Sequence, residues 1–374
     1  MTSAPTAARP VIVPVGDNAT PIWGMSNAER VRRLAAAQKL DGAPDGRPTL
    51  LANLTYAFDP VWISFLKGEP DTVVTREGVP VLAHLADPAD AATVRGAMEA
   101  NAPLTATRLR VQEAEDEAGI VNHALRKRER PFAERLTPET VPLIERASYF
   151  GAYKGVTDLL TKYLWPEWAF VLTRIAARWG ITPNQVTALG TLLCLLATVA
   201  FWYGWFWTGM LIGLGFMVLD TVDGKLARCT ITSSAIGNIW DHGVDLVHPP
   251  FWWWAWAVGL DRVGLGYSDR TFAWVLGAIL GGYVVQRLIE GVFMRRFDMH
   301  IHVWRKLDSD FRLITARRNP NMVILFAATL VGRPDIGLIA VAVWTVLSCL
   351  FHFVRLLQAF GADRRGEPIL SWLT

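Results

Sequence analysis

The stretch DTVDGKLARCTITSSAIGNIWDHGVD, Asp220 to Asp245, places four carboxylates and an arginine in a segment flanked on both sides by strongly apolar sequence. Asp220 and Asp223 are three residues apart, and Asp241 and Asp245 four apart, spacings that put each pair on one face of a helix. A turn around Thr230 to Ser234 would fold the two helices into a hairpin and bring the four carboxylates together. Unneutralised at membrane depth, such charges are prohibitively costly, so a divalent cation is the simplest expectation. Oxygen-only ligation favours Mg2+ or Mn2+ over zinc, and such a cation engages a substrate phosphate as well. Gly224 and Gly237 carry no side chain, so backbone or ligand can approach closely there. Arg228 supplies a planar cation suited to phosphate oxygens. Two rival readings exist: acids paired with Arg and Lys inside a bundle, and an ion-transport pathway. The first accounts poorly for four acids at helical spacing, and the second leaves the Gly and Arg positions unexplained.

Composition supports the membrane setting. Of 374 residues, 52% are hydrophobic and 19% charged, against roughly 25% charged in an average soluble protein. Seven of the 17 Trp cluster in FWYGWFW (Phe201 to Trp207) and FWWWAW (Phe251 to Trp256), as a bilayer interface selects. A net charge of +3 is too small to suggest nucleic acid as a partner. Cys194, Cys229 and Cys349 lie far apart, without a CxxC pair, and read as buried thiols. The opening MTSAPTAARPVIVPVG lacks a continuous apolar core after its basic residue, so no signal peptide is expected.

Outward from the aspartates, the chain divides in four. Residues 1–150 alternate short apolar runs with Ala-rich amphipathic stretches and read as a small soluble α/β domain. Within it Asp87, Pro88 and Ala89 mark a helix start, and Gly78, Val79 and Pro80 a turn between strands. Residues 151–183 interleave Leu160, Leu164, Phe170, Ile175 and Trp179 with Lys162, Arg174 and Arg178, which suits an amphipathic helical segment on a membrane surface. Residues 184–361 contain four clear apolar stretches of about 20 residues, near 184–203, 207–227, 235–260 and 271–293. A fifth and a sixth are divided by a turn at Gly332 to Gly337. Pro249 and Pro250 should kink the third of these helices. Residues 362–374 form a tail. Basic residues gather between 294 and 318 and in the tail, so the positive-inside rule puts both termini in the cytoplasm.

The aspartate stretch reads D-x2-D-G-x2-A-R-x8-G-x3-D-x3-D, through Asp220, Asp223, Gly224, Ala227, Arg228, Gly237, Asp241 and Asp245. It resembles the signature of the CDP-alcohol phosphotransferases, membrane enzymes of phospholipid synthesis, and the resemblance extends over about Thr182 to Phe360, including the TPNQVT entry to the first helix. It implies an α-helical integral membrane protein, a six-transmembrane-helix bundle preceded by a soluble α/β domain, usually a homodimer, in a bacterial inner membrane. Carried over, Asp220, Asp223 and Asp241 would hold one or two Mg2+ or Mn2+ ions on the CDP diphosphate. Asp245 would be the general base and an additional ligand. Gly224, Ala227, Arg228 and Gly237 would line the cytidine and phosphate pocket, with Asn184 and Thr187 contributing. The implied substrates are a CDP-alcohol donor, foremost CDP-diacylglycerol, and a hydroxyl acceptor, foremost a phosphorylated polyol. The converse pairing is a soluble CDP-polyol with a lipid hydroxyl; a lipid-binding scaffold or a cation transporter is the alternative of another class.

The layout of the N-terminal domain resembles the nucleotidyltransferase fused to some relatives. The loop VIVPVGDNATPIWGMSNAERV offers only Gly16 and Gly24 to cradle a triphosphate, so a degenerate, non-catalytic domain is expected. Arg287, Arg295 and Arg296 are candidates for an acceptor phosphate, while the basic connection also serves topology and anionic lipid. His300 and His302 have no Cys or carboxylate cluster beside them in sequence, so no zinc site is expected. His242 and His248 flank the last two aspartates and serve either substrate or packing.

Overall fold

A computed structural model describes residues 10–41, 48–105, 108–117, 119–122 and 125–373; most of the opening segment read for a signal peptide lies outside them. The chain forms two units. The first comprises Met1–Tyr153, Arg174–Gly180 and Lys225–Thr232, and the second Lys154–Thr173, Ile181–Gly224 and Ser233–Thr374.

In the first unit, β1 (Val11–Val15), α1 (Asn27–Gln38), β2 (Thr49–Asn53), β3 (Tyr56–Phe58), α2 (Val61–Gly68), β4 (Thr72–Arg76), β5 (Val79–Leu85), α3 (Pro88–Glu99) and β6 (Arg110–Glu113) follow in order. Short strands β7 (Ile120–Asn122), β8 (Lys127–Glu129) and β9 (Ala133–Arg135) then lead to α4 (Val141–Gly151). The main sheet has the order β1-β2-β5-β4-β6, with β1/β2 and β4/β6 parallel and the other pairs antiparallel. Successive strand residues face opposite ways. Leu50, Val74 and Leu82 thus join a core with Val31, Leu34 and Trp62 of α1 and α2. Leu51, Val73 and Ala83 join another with Val94 and Met98 of α3.

The helix at Pro88 starts as expected, with Asp87 accepting from the Ala89 amide at 2.8 Å. The turn expected at Gly78 to Pro80 lies one step earlier. Glu77 and Gly78, both with positive φ, make the reversal, as a two-residue hairpin demands. Val79 and Pro80 are strand residues, and Pro80 is tolerated where the β4/β5 register shifts. Asp59 is buried at the start of α2 and accepts from the Val61 amide at 2.9 Å. Burial pushes its carboxyl above the usual range, against the lowering effects of that hydrogen bond, Lys127 and Arg30.

In the second unit, α5 (Leu159–Tyr163) and α6 (Pro166–Arg178) precede α7 (Pro183–Trp202), α8 (Phe206–Cys229), α9 (Ala235–Arg262) and α10 (Asp269–Phe297). Then come α11 (Lys306–Arg312), α12 (Arg318–Leu330) and α13 (Pro334–Arg364). Some of these helices have segments in both units. On α6, Trp168, Val171, Leu172 and Ile175 are exposed together, an apolar stripe at helical spacing.

Among the described residues three helices, α7, α10 and α13, are long and apolar enough to cross a membrane. Of the other three expected stretches, α8 and α9 carry the aspartates, and α12 has 13 residues. The helix α9 continues through Pro249 and Pro250. Leu189, Leu192, Leu195 and Val199 on α7 are about half exposed, as is usual for side chains facing lipid and unusual for a contiguous surface facing water.

The two aromatic runs part company. Trp202, Tyr203, Trp205 and Trp207 are exposed, as an interface belt would be. In contrast, Trp252, Trp253 and Trp256 are core residues. The indoles of Trp252 and Trp256 donate to the carbonyls of Cys194 and Pro334, both at 3.2 Å. A buried indole N–H needs a partner, and these carbonyls supply it.

Candidate active site

The TPNQVT segment is a helix start in its own right. Thr182 and Gln185 form a reciprocal capping box, with Pro183 in the first turn of α7. This fixes Asn184 and Thr187 on the opening turns. Ser234 likewise caps α9, accepting from the Gly237 amide at 3.0 Å. A Cβ at Gly237 would stand 2.6 Å from Asn184 Oδ1 and 2.9 Å from Ser234 Oγ. The motif glycine is therefore what lets α9 lie against Asn184.

Asp220 and Asp223 come from α8, and Asp241 and Asp245 from α9, with Thr230 to Ser234 between the helices. One carboxylate oxygen from each of Asp220, Asp241 and Asp245 lies within 4.8 Å of the other two. Asp223 is turned aside, accepting from Thr187 Oγ1 at 2.7 Å and from the Gly224 amide at 2.5 Å.

Sequence reasoning missed Arg318. It stands at the start of α12, and its guanidinium donates to Asp220 Oδ2 at 2.7 Å and to Asp245 Oδ1 at 2.9 Å. In sequence it looked like one more loop charge, the last of the basic connection. Side-chain exposure is 12% for Arg318, 17% for Asp220 and 46% for Asp245, so one arm of the fork is shielded and the other half open. The ion-pair reading is thus realised in part. Arg318 pairs with two of the three convergent carboxylates, Lys154 and His242 act on Asp241, and the donors are all oxygen. This set fits a hard divalent cation, and Asp220, Asp241 and Asp245 are the residues that would hold it.

The other candidates have local settings of their own. Ala227 and Arg228 occupy the last turn of α8, in the segment Lys225–Thr232 that belongs to the first unit. His242 is exposed with Nδ1 at 2.8 Å from the Asn238 carbonyl. His248 is buried, its ring edge-on to Phe216 and Trp252, which is a packing role. On α10, Tyr283 donates to the carbonyl of Leu246, next to Asp245, at 2.9 Å. Arg287, one turn on, lies over the Tyr283 ring and pairs with Glu290 at 3.5 Å. Arg295 and Arg296 lie further along, in the last turn of α10, where Arg296 pairs with Asp363 at 2.5 Å. His302 faces Glu290 at 3.3 Å, and Arg317 donates to the same carboxylate. Burial holds the His302 imidazole well below its usual range.

Residues 180–346 match the family model of the CDP-alcohol phosphatidyltransferases. Among characterised proteins, cholinephosphotransferase 1 of Gallus gallus is 34% identical over 127 residues, covering 31% of this chain and 36% of that protein. Cholinephosphotransferase 1 of Xenopus laevis is 29% identical over 266 residues, covering 63% and 60%. Archaetidylinositol phosphate synthase of Pyrococcus horikoshii is 29% identical over 182 residues, covering 48% and 84%. The chain thus spans from about a third to three fifths of the two cholinephosphotransferases. All eight fixed positions of the aspartate motif fall inside the segment, residues 180–346, that matches the model of the CDP-alcohol phosphatidyltransferase family.

Proposed function

We propose that this protein transfers a substituted phosphate group from a CDP-alcohol to an acceptor hydroxyl, releasing CMP, as a step of phospholipid synthesis. The observation that carries this reading is the convergence of Asp220, Asp241 and Asp245 within 4.8 Å, inside the segment matched by the family model. Asp245, the more open of the two acids held by Arg318, is the general base. It takes the proton from the acceptor hydroxyl, whose oxygen attacks the β-phosphorus while the bond to the CMP oxygen breaks. A base within hydrogen-bond reach of that hydroxyl contributes typically about 10²–10⁴-fold. Mg2+ or Mn2+ bound by Asp220, Asp241 and Asp245 supplies Lewis-acid stabilisation of charge on the diphosphate. Thr187 fixes the orientation of Asp223 beside them, and Arg318 orients Asp220 and Asp245. Gly224, Ala227, Arg228, Gly237 and Asn184 are the proposed contributors to the nucleotide pocket.

The setting we propose is a bacterial inner membrane crossed six times, by α7 to α10, α12 and α13, with both termini cytoplasmic and the protein a homodimer. Three helices long and apolar enough to span support the membrane crossing, and the basic connection between 294 and 318 supports its orientation. The N-terminal α/β unit takes no catalytic part, because the β1–α1 connection from Gly16 to Ser26 contains no basic residue.

The leading substrates are CDP-diacylglycerol and a phosphorylated polyol. Arg287, one turn from the Tyr283 contact to Leu246, supports this pairing, with Arg295 and Arg296 further out, as does the likeness to an archaetidylinositol phosphate synthase. The likeness to cholinephosphotransferases over 63% of the chain favours a second pairing, a soluble CDP-linked headgroup with a lipid hydroxyl. The test is CMP release by the protein in lipid nanodiscs with Mg2+ or Mn2+, offered each donor with a panel of acceptors, against Asp245→Asn. Metal-dependent release with one pairing, lost in the variant, names the substrates; silence with every pairing overturns the proposal.

A further inference from the structure

Away from the aspartates, a pocket of about 520 Å3 lies at the end of α13, among Trp304, Arg305, Val354, Leu357, Gly361 and Arg365. Its size is that of a small-molecule site. Trp304 is buried, with the guanidinium of Arg305 4.7 Å from its ring centre and that of Arg355 at 4.4 Å. Arg355 is a fixed part of the wall, buried and holding Asp308 through two bonds of 2.6 and 2.9 Å. Arg305 is different: it is exposed and forms no ion pair among the described residues. Arg365 pairs with Glu367 at 2.7 Å, but the two side chains are 63% and 50% exposed, so that pair holds it weakly.

One face of α13 is graded along its length. Leu357, Gly361 and Arg365 recur every four residues, so they stack on one side of the helix. Val354 and Leu357 are about half exposed, on a helix long and apolar enough to span a bilayer. Gly361 leaves an opening, since a Cβ there would meet only Arg365 Nη1, at 3.4 Å. Beyond the opening stand two arginines. An apolar wall, a gap and then two exposed cationic forks, whose shared acid Glu367 is itself half exposed and exchangeable, is the profile of a phospholipid with a negative headgroup, acyl chain below and phosphodiester above. A soluble phosphate would leave the apolar wall without a role.

We propose that this pocket binds the headgroup of an anionic membrane phospholipid, separately from the transfer site; the inference rests on the reading that α13 crosses the bilayer. The test uses the full chain in nanodiscs of phosphatidylcholine with and without phosphatidylglycerol. Native mass spectrometry counts the lipids retained, and thermal unfolding measures their effect. Expected is one phosphatidylglycerol retained per chain in preference to phosphatidylcholine, with a raised unfolding midpoint. The double variant Arg305→Gln, Arg365→Gln should weaken retention by about 30-fold, from about 1 kcal/mol for each basic residue at a membrane surface. Gly361→Leu should abolish retention with every charge still present. Both variants should match the parent's unfolding midpoint and CMP release in pure phosphatidylcholine, which separates this site from the active site. Equal retention of the two lipids, or retention indifferent to the double variant, overturns the proposal. Failure of the parent chain to enter nanodiscs overturns the membrane reading and this inference with it.

Discussion

Replacing Arg318 by Gln removes the cation that bridges Asp220 and Asp245 while keeping a hydrogen-bonding amide of similar reach. The Asp220 arm is shielded, with 12% and 17% side-chain exposure for its two members, and stripping one partner from a buried ion pair costs about 3–5 kcal/mol. The Asp245 arm is 46% exposed on the acid side, so solvent screening limits its share to about 1 kcal/mol or less. A loss of about 3 kcal/mol is therefore expected without metal. At about 2–4 °C per kcal/mol for a large domain, the unfolding midpoint in EDTA should fall by about 6–12 °C. A divalent cation held by the same carboxylates restores the missing positive charge. Titration with Mn2+ should therefore raise the variant's midpoint more than the parent's and narrow the gap, since a ligand that binds only the folded state stabilises it in proportion to its occupancy. Differential scanning fluorimetry in EDTA and across a Mn2+ series reads both effects. Equal midpoints in EDTA, or a gap that Mn2+ leaves unchanged, would refute the idea that Arg318 and a metal answer the same charges.

Thr187→Val removes the 2.7 Å donor from the buried Asp223 carboxylate. A bond to a charged group is worth about 1.5–3 kcal/mol, so a lower unfolding midpoint and slower CMP release are expected, and an unchanged rate would deny Thr187 its positioning role. Gly237→Ala forces Asn184 and Ser234 to give way. Displacements near 1 Å at a reacting centre cost up to about 10²-fold, so kcat/KM should drop at least tenfold with the helical circular dichroism kept; full activity would show that the contact is slack. In the first unit, Asp59 has a raised carboxyl pKa, caused mainly by burial. Such a group contributes stability below its unfolded pKa, near 3.9, and loses that contribution as pH rises through the folded value. Asp59→Asn should match the parent near pH 4 and become the more stable protein as pH rises, and midpoints recorded from pH 4 to 8 that stay parallel would contradict this.

What could be read from the chain was whatever depends on local periodicity. The i, i+3 and i, i+4 aspartate spacings name helix faces directly, and Asp220, Asp241 and Asp245 do converge. TPNQVT and Asp87-Pro88 announce helix starts because a cap is satisfied within three residues. Long-range pairing left no such trace. Arg318 lies 98 residues from Asp220, and nothing local distinguishes it from its basic neighbours. Asp223 occupies the predicted helix face, yet Thr187, from a different helix, decides where its carboxylate points. The FWWWAW run could be read as interface or core, since Trp suits both. The deciding factor was two distant carbonyls, of Cys194 and Pro334, that take the indole protons. The hairpin turn was misplaced by one residue because Pro80 usually punctuates chains, and here it sits at a register shift inside a strand.

The central claim is that this carboxylate set directs attack on the β-phosphorus of a CDP-alcohol. The most direct measurement follows a donor labelled with 32P at that phosphorus, using the protein in nanodiscs with Mn2+ and the acceptor that supports turnover. The label should pass into the product lipid while unlabelled CMP accumulates in equal amount, and EDTA or Asp245→Asn should stop both. Label remaining with the nucleotide, label released as inorganic phosphate, or transfer that persists in Asp245→Asn would contradict it.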